Sequence, residues 1–212
     1  MFFVSTGRCG TTRVAEILKA HLPESYTVLH QTRLSRRANI IGNMTYCGLP
    51  FQGLSMRLFD RILKENLPSK NILISTDPLI SMVIPDKAVQ DPATAIVHIT
   101  RDSYDFAQSM YQFTRKKKTS LIAHNLIPFW QPHLWPLENL INNDIINKYQ
   151  FIHKQKNDFY RARYQKNPNY ITITMDNIFK PPTLEHLINR LWQLNITIPP
   201  DQLTKKTNQS IQ

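Results

Sequence analysis

The sequence begins with Met1-Phe-Phe-Val-Ser-Thr-Gly-Arg-Cys-Gly-Thr-Thr-Arg13, a stretch that predicts a short buried strand, a tight turn and a helix. Residues 2–4 form an apolar run that favours β structure. Gly7 and Gly10 allow the backbone to turn sharply, because glycine adopts positive φ angles without steric cost. Residues 13–20 are mostly strong helix formers, so the chain is expected to leave the turn as a helix.

This turn predicts an anion-binding site. A helix that starts directly after a strand and turn directs unpaired backbone N–H groups, and the positive end of its dipole, at one point. Cys9 and Gly10 contribute N–H groups, and Thr11 and Thr12 add hydroxyl donors. Arg8 adds a planar guanidinium suited to phosphate or sulfate oxygens. The alternative is an ordinary connection in an α/β fold with no ligand.

The turn departs from the nucleotide-binding pattern G-x-x-x-x-G-K-S/T. When the second glycine of that pattern is aligned on Gly10, Ser5 stands where glycine is needed and Thr11 where lysine is needed. The lysine normally contacts the terminal phosphates of ATP. The sequence therefore argues against an ATP- and magnesium-dependent phosphotransferase, which stays an alternative.

Composition limits the fold and the partners. The 212 residues suit a single α/β domain spanning 1–212. Lysine and arginine number 26 against 15 acidic residues, a formal net charge of +11, so the protein should attract polyanions. The basic residues are scattered except at 36–37 and 116–118, and no nucleic-acid-binding motif accompanies them. Nucleic acid is therefore not expected as the partner, which leaves anionic glycans, phospholipid and a highly phosphorylated cofactor.

Two cysteines, Cys9 and Cys47, give no basis for a disulfide framework and favour a reducing compartment. No segment has the pattern of a signal peptide or of a membrane-spanning helix. A soluble, cytoplasmic protein is expected. No compact cluster of histidine and carboxylate side chains predicts a metal site.

Strand and helix patterns alternate along the chain, which predicts a three-layer α/β fold with a mainly parallel sheet and helices on both faces. Residues 31–50 are predicted to be irregular, 119–143 to form a lid that carries Trp130 and Trp135, and 200–212 to form a polar tail. The predicted elements are strands at 2–4, 25–30, 71–75, 93–100 and 169–174, and helices at 13–20, 51–63, 102–117, 144–164 and 183–194.

Polar residues stand where the predicted strands end, at the edge where ligands bind in such folds. These are Arg8, His30, Asp77 and Arg101. Ser109 follows Arg101 by eight residues, so a helix beginning after Arg101 would carry this hydroxyl two turns on. An arginine fork and a serine hydroxyl together suit a phosphate dianion.

Two of these stretches resemble the sulfotransferase family. Arg8-Cys-Gly-Thr-Thr12 is similar to its 5′-phosphosulfate loop, and Arg101 with Ser109 is similar to its 3′-phosphate pair. The stretch at 170–179 resembles the strand and turn before the last helix of these enzymes. The C-terminal Arg-Lys-Gly segment of the cytosolic members is absent.

The resemblance implies a reaction. It is transfer of a sulfuryl group from 3′-phosphoadenosine 5′-phosphosulfate (PAPS) to an unidentified glycan, small alcohol or phenol, or peptide, with release of adenosine 3′,5′-bisphosphate (PAP). The lid at 119–143 would contact that acceptor. Many animal members carry an N-terminal membrane anchor, and this sequence would equally fit a chain trimmed of one. The other class of function is a non-catalytic protein that binds an anionic nucleotide or glycan.

Two residues are candidates for the base that accepts the acceptor's proton. Asp77 stands where many sulfotransferases have a histidine, and His30 begins a segment, His30-Gln-Thr-Arg33, similar to one that carries the basic glutamate in tyrosylprotein sulfotransferases. A histidine titrates near neutral pH, whereas an aspartate needs its pKa raised. Sequence position slightly favours Asp77 and chemistry favours His30. Arg8 is expected to stabilise the leaving phosphate.

Overall fold

A five-stranded parallel sheet forms the centre of the protein. The structure, a computed structural model, describes residues 1–67, 72–117, 119, 122, 127, 129–131, 145–192 and 194–204. The strands lie in the order β2-β3-β1-β4-β5, and every described pairing is parallel. They are β1 (Phe2–Val4), β2 (Tyr26–Leu29), β3 (Ile72–Ser75), β4 (Ile96–Thr100) and β5 (Tyr170–Thr174).

Helices connect these strands. The sheet with helices around it confirms the predicted α/β class. The helices of the described ranges are α1 (Thr11–His21), α2 (Ser35–Tyr46), α3 (Gln52–Asn66), α4 (Asp86–Gln90), α5 (Ser103–Lys116), α6 (Ile145–Tyr164), α7 (Met175–Ile178), α8 (Thr183–Trp192) and α9 (Pro200–Thr204).

The sheet is buried on both faces because successive residues of β1 and β4 point in opposite directions. Phe3 and Val97 join the core formed with α1 and α8. Phe2, Val4 and Ile96 join the core formed with α2, α3 and α6. This two-sided burial explains why β1 is continuously apolar and β4 mostly so, whereas the less buried β5 alternates apolar residues with threonine.

The prediction that residues 31–50 are irregular is wrong, because Ser35–Tyr46 form helix α2. Its buried face consists of small and polar residues, so the sequence shows no apolar stripe at helical spacing. Gly42 lies on this face, and a Cβ atom there would come within 2.4 Å of Met82 Cβ. The glycine allows α2 to approach the segment after β3 closely.

The first part of the predicted tail, Pro200–Thr204, is helical and packs on the protein. Leu203 is buried, and the Gln202 side-chain oxygen lies 2.7 Å from His21 Nε2 on α1. Most of the predicted lid at 119–143, including Trp135, lies outside the described residues, as does Lys118. Within the described ranges, no helix combines the length and apolar character needed to cross a membrane.

Candidate functional site

The turn between β1 and α1 has an unusual backbone. Gly7, Arg8 and Gly10 have φ angles of 85°, 54° and 74°, the left-handed region that residues other than glycine rarely occupy. Helix α1 has no side-chain N-cap, and its first backbone hydrogen bond runs from Val14 N–H to the Gly10 carbonyl at 3.0 Å. The N–H groups of the first turn therefore have no partner within the helix. Such a concave turn at a helix N-terminus favours an anion.

The shape of this turn depends on the segment after β5. A Cβ atom at Gly10 would lie 2.6 Å from Phe179 Cε2. Glycine is favoured here chiefly for its positive φ angle, and a larger residue would in addition displace the Phe179 ring. Phe179 follows α7, so the predicted resemblance at 170–179 corresponds to a strand and a short helix that pack against the turn.

Two arginines meet above the adjacent strands β1 and β4. Arg101 Nη1 donates a hydrogen bond to the Arg8 carbonyl at 3.1 Å. Arg8 Nε donates to Ser109 Oγ at 3.2 Å, and its guanidinium lies 4.7 Å from the centre of the Phe113 ring. The structure thus brings together three residues that the sequence placed in one site.

These arginines have no nearby counter-charge. Neither guanidinium forms a salt bridge with a carboxylate of the described residues. Desolvation lowers the pKa of Arg8, and the adjacent positive charge of Arg101 lowers it further. Two like charges side by side repel each other, so an anion bound between them would relieve an unfavourable interaction.

The residue that follows Arg101 and the residues beneath it are held by hydrogen bonds. Asp102 caps α5 by accepting hydrogen bonds from the N–H groups of Tyr104 (2.8 Å) and Asp105 (3.1 Å), and these bonds lower its pKa. Deeper in the protein, Asn157 joins His98 and His153, with nitrogen–oxygen and nitrogen–nitrogen distances of 2.8 and 3.0 Å. Burial lowers the pKa of each histidine to about 4, so both are neutral.

His30 lies at the same edge of the sheet, between α1 and the end of β3. Its Nδ1 atom is 3.1 Å from the Thr76 carbonyl oxygen, and its Nε2 atom is 3.1 Å from Thr12 Oγ1. Nδ1 also lies 3.0 Å from Thr76 Oγ1, whose hydroxyl donates to the Leu29 carbonyl at 3.4 Å. Because both Thr76 oxygens therefore accept, Nδ1 carries the proton and Nε2 accepts from the Thr12 hydroxyl. Burial lowers the pKa of His30 below its ordinary value, so the ring is neutral at pH 7.

Asp77 is in a different environment. Its side chain is buried, and one carboxylate oxygen accepts a short hydrogen bond from the Ser35 hydroxyl on α2. The other oxygen accepts from Leu79 N–H at 2.9 Å. Both oxygens are therefore engaged in joining the end of β3 to α2 and to the following turn.

The remaining turn residues have structural contacts. Cys9 is fully buried, its thiol donates to the Gly7 carbonyl at 3.1 Å, and burial raises its pKa to about 11. The Thr11 side chain is also buried, whereas Thr12 reaches His30. Among the described residues, no group of three or more His, Cys, Asp or Glu side chains is placed to hold a metal ion.

Sequence reasoning missed three partners of the site. Thr76 orients His30 and Ser35 binds Asp77, and both contacts are long-range. Trp130 of the predicted lid lies against α2, because Asn39 Nδ2 donates to its carbonyl at 2.8 Å. The only sign of Thr76 in the sequence was its position directly before the candidate base Asp77.

The fold and the turn define a class: a parallel α/β protein whose central strand leads through a left-handed turn into a helix without a side-chain N-cap. No protein-family profile and no curated protein matches the chain. The chain is similar to the crystal structure of a sulfotransferase from Alicyclobacillus acidocaldarius, with a TM-score of 0.53 and 13% sequence identity. The similarity covers 98% of this chain and 85% of that one. At this identity the similarity shows a sulfotransferase-like fold.

Proposed function

We propose that the protein transfers a sulfuryl group from PAPS to a hydroxyl or amine of an acceptor. The observation that carries this proposal is the contact between Arg8 and Arg101 beside an uncapped helix N-terminus. One nucleotide with a phosphosulfate at its 5′ end and a phosphate at its 3′ position supplies an anion for each arginine. The sulfotransferase-like fold supports the same assignment.

Each residue has a role in this proposal. The backbone N–H groups of residues 8–12 bind the 5′-phosphosulfate, with the hydroxyl of Thr12. Arg101 and Ser109 bind the 3′-phosphate. Arg8 stabilises the negative charge that develops on the bridging oxygen as the sulfur–oxygen bond breaks. For this, its side chain exchanges the contact with Ser109 for one with the phosphosulfate.

His30 is the better base of the two candidates. The acceptor oxygen attacks sulfur, the bond from sulfur to the 5′-phosphate breaks, PAP leaves, and the acceptor proton passes to His30 Nε2. Thr76 fixes the ring so that Nε2 carries a lone pair, and burial keeps the ring neutral. The acceptor hydroxyl takes the position of the Thr12 hydroxyl. Asp77 instead holds α2, because its two oxygens already have partners.

Calorimetry with PAP tests the nucleotide, and label transfer tests the chemistry. We expect PAP to bind with higher affinity than AMP, and radiolabelled PAPS to label one pool among glycans, phenols, small alcohols and peptides. Absence of PAP binding at millimolar concentration would contradict the proposal. Binding without transfer to any pool would favour the non-catalytic alternative, and magnesium-dependent ATP turnover would favour a phosphotransferase.

A further inference from the structure

A groove between α2 and α3 lies outside the site described above. Its volume is about 410 Å³, within the range of about 300–1,000 Å³ that is usual for small-molecule sites. The floor is apolar and consists of Ile40 and Ile41 from α2 with Leu54 and Leu58 from α3. Leu54 is 45% exposed, so the described part of the protein leaves this apolar surface uncovered.

Helical spacing explains how the groove forms. On α3, positions 54, 57, 58 and 61 repeat at the intervals that place side chains on one helix face. The neighbouring face of α3, with Phe59 and Ile62, packs into the core, and Leu58 lies between the two faces. On α2, positions 37, 40 and 41 share one face, whereas the buried face carries Asn39 and Asn43. The two helices thus turn a second, partly apolar face toward each other and toward solvent.

Three arginines surround this apolar floor: Arg37 from α2, and Arg57 and Arg61 from α3. Arg61 forms an exposed ion pair with Glu65 at 2.7 Å. Arg37 and Arg57 form no salt bridge with a carboxylate of the described residues. The groove therefore combines an apolar floor with two arginines that have no ion-pair partner among the described residues.

The apolar floor and the arginines together restrict the kind of ligand that fits the groove. A purely polar anion would leave the apolar floor in contact with water, and a neutral apolar ligand would leave the arginines without a partner. A flat membrane surface cannot enter a concave groove, whereas a single chain or ring can. We propose that the α2–α3 groove binds a small amphiphilic anion, in which one apolar chain or ring system carries one carboxylate, sulfate or phosphate group.

Calorimetry on the full chain tests this with octanoate as the probe. We expect octanoate to bind at one site, and both octanol, which lacks the charge, and butanoate, which lacks most of the chain, to bind at least about tenfold more weakly. Arg57→Gln and Arg37→Gln should each reduce octanoate affinity about fivefold, because each removes one charged hydrogen-bond donor at a solvent-exposed rim. Thermal unfolding of each variant checks that the fold is intact.

Arg36→Gln is the matched control, because Arg36 is an exposed arginine on the same helix that does not line the groove. It should leave octanoate affinity unchanged. Equal affinities for octanol and octanoate would overturn the proposal, as would an equal loss in Arg36→Gln and Arg57→Gln. Binding to vesicles of anionic lipid with no binding of octanoate would also overturn it, since a membrane surface would then be the partner.

Discussion

The two halves of the candidate site differ in the charge and burial of their side chains. Above β1 and β4, Arg8 and Arg101 carry fixed positive charges within reach of a ligand. Above β2 and β3, His30 is half-buried and neutral, and Asp77 is buried between hydrogen-bond donors. In the proposed function, the ligand's charge is bound on the first half and a proton is accepted on the second, where hydrogen bonds fix the directions of both ring nitrogens.

The largest expected effect follows from replacing the base. His30→Ala should lower kcat by about 10³-fold, because general base catalysis typically contributes about 10²–10⁴-fold. In the unmodified protein, kcat should fall with decreasing pH only below the ordinary histidine pKa of 6.5, since burial lowers the pKa of His30 and the neutral form accepts the proton. Rates of label transfer, measured at a series of pH values for the variant and the unmodified protein, check both expectations. An unchanged pH profile in the variant would show that His30 is not the base.

Replacing Asp77 should act on stability instead. Asp77→Ala leaves the Ser35 hydroxyl and the Leu79 N–H without their partner, so we expect the free energy of unfolding to fall by about 2–3 kcal/mol. Urea denaturation measures this loss. The folded variant should bind PAP nearly as well as the parent. A loss of kcat as large as that of His30→Ala, with stability unchanged, would reverse the roles of the two residues.

On the arginine half, binding should change more than stability. Arg101→Ala should weaken PAP about thirtyfold, in line with about 1.5–3 kcal/mol for a charge-assisted hydrogen bond. It should weaken AMP far less, because AMP lacks the 3′-phosphate. Calorimetry with both nucleotides measures the difference, with the exposed Arg36→Ala as the control. Equal losses for PAP and AMP would contradict the 3′-phosphate assignment.

The smallest effect is expected at Ser109. Ser109→Ala removes one hydroxyl donor to the ionised phosphate and should weaken PAP about tenfold, because a bond from an uncharged donor lies at the lower end of the about 1.5–3 kcal/mol of hydrogen bonds to charged groups. Ser103→Ala, on the first turn of the same helix, is the matched control and should have no effect. Calorimetry measures the PAP affinity of both variants. A loss larger than that of Arg101→Ala would place the main phosphate contact on α5.

The sequence predicts the parts of the fold that depend on local patterns. The β1 turn, the mostly apolar β4 and the start of α5 all follow from residue types within about one element. Helix α2 could not be predicted in this way, because its buried residues are small or polar. Its helical state is set by contacts with distant parts of the chain, such as Gly42 against Met82 and Ser35 with Asp77.

The candidate site likewise has features that the sequence predicts and features that it does not. The spacing of Arg101 and Ser109 could be read directly, and the strand ends indicated which loops would meet. The contact of Arg8 with Ser109, and the Thr76 carbonyl that orients His30, join residues far apart in sequence. Spacing carries no information about such pairs. The roles of these residues in binding and catalysis stay predictions, to be tested by the variants above.

The sheet order has a consequence for synthesis on the ribosome. Strand β1 emerges first, yet it lies between β3 and β4, which emerge later, and its turn is packed by Phe179 near the end of the chain. We therefore expect β1 to stay unpaired until β3 has left the exit tunnel, and the nascent chain to acquire nucleotide affinity only after residue 179 has left it. Ribosome-stalled chains of increasing length, assayed for PAP binding, would reveal any earlier onset.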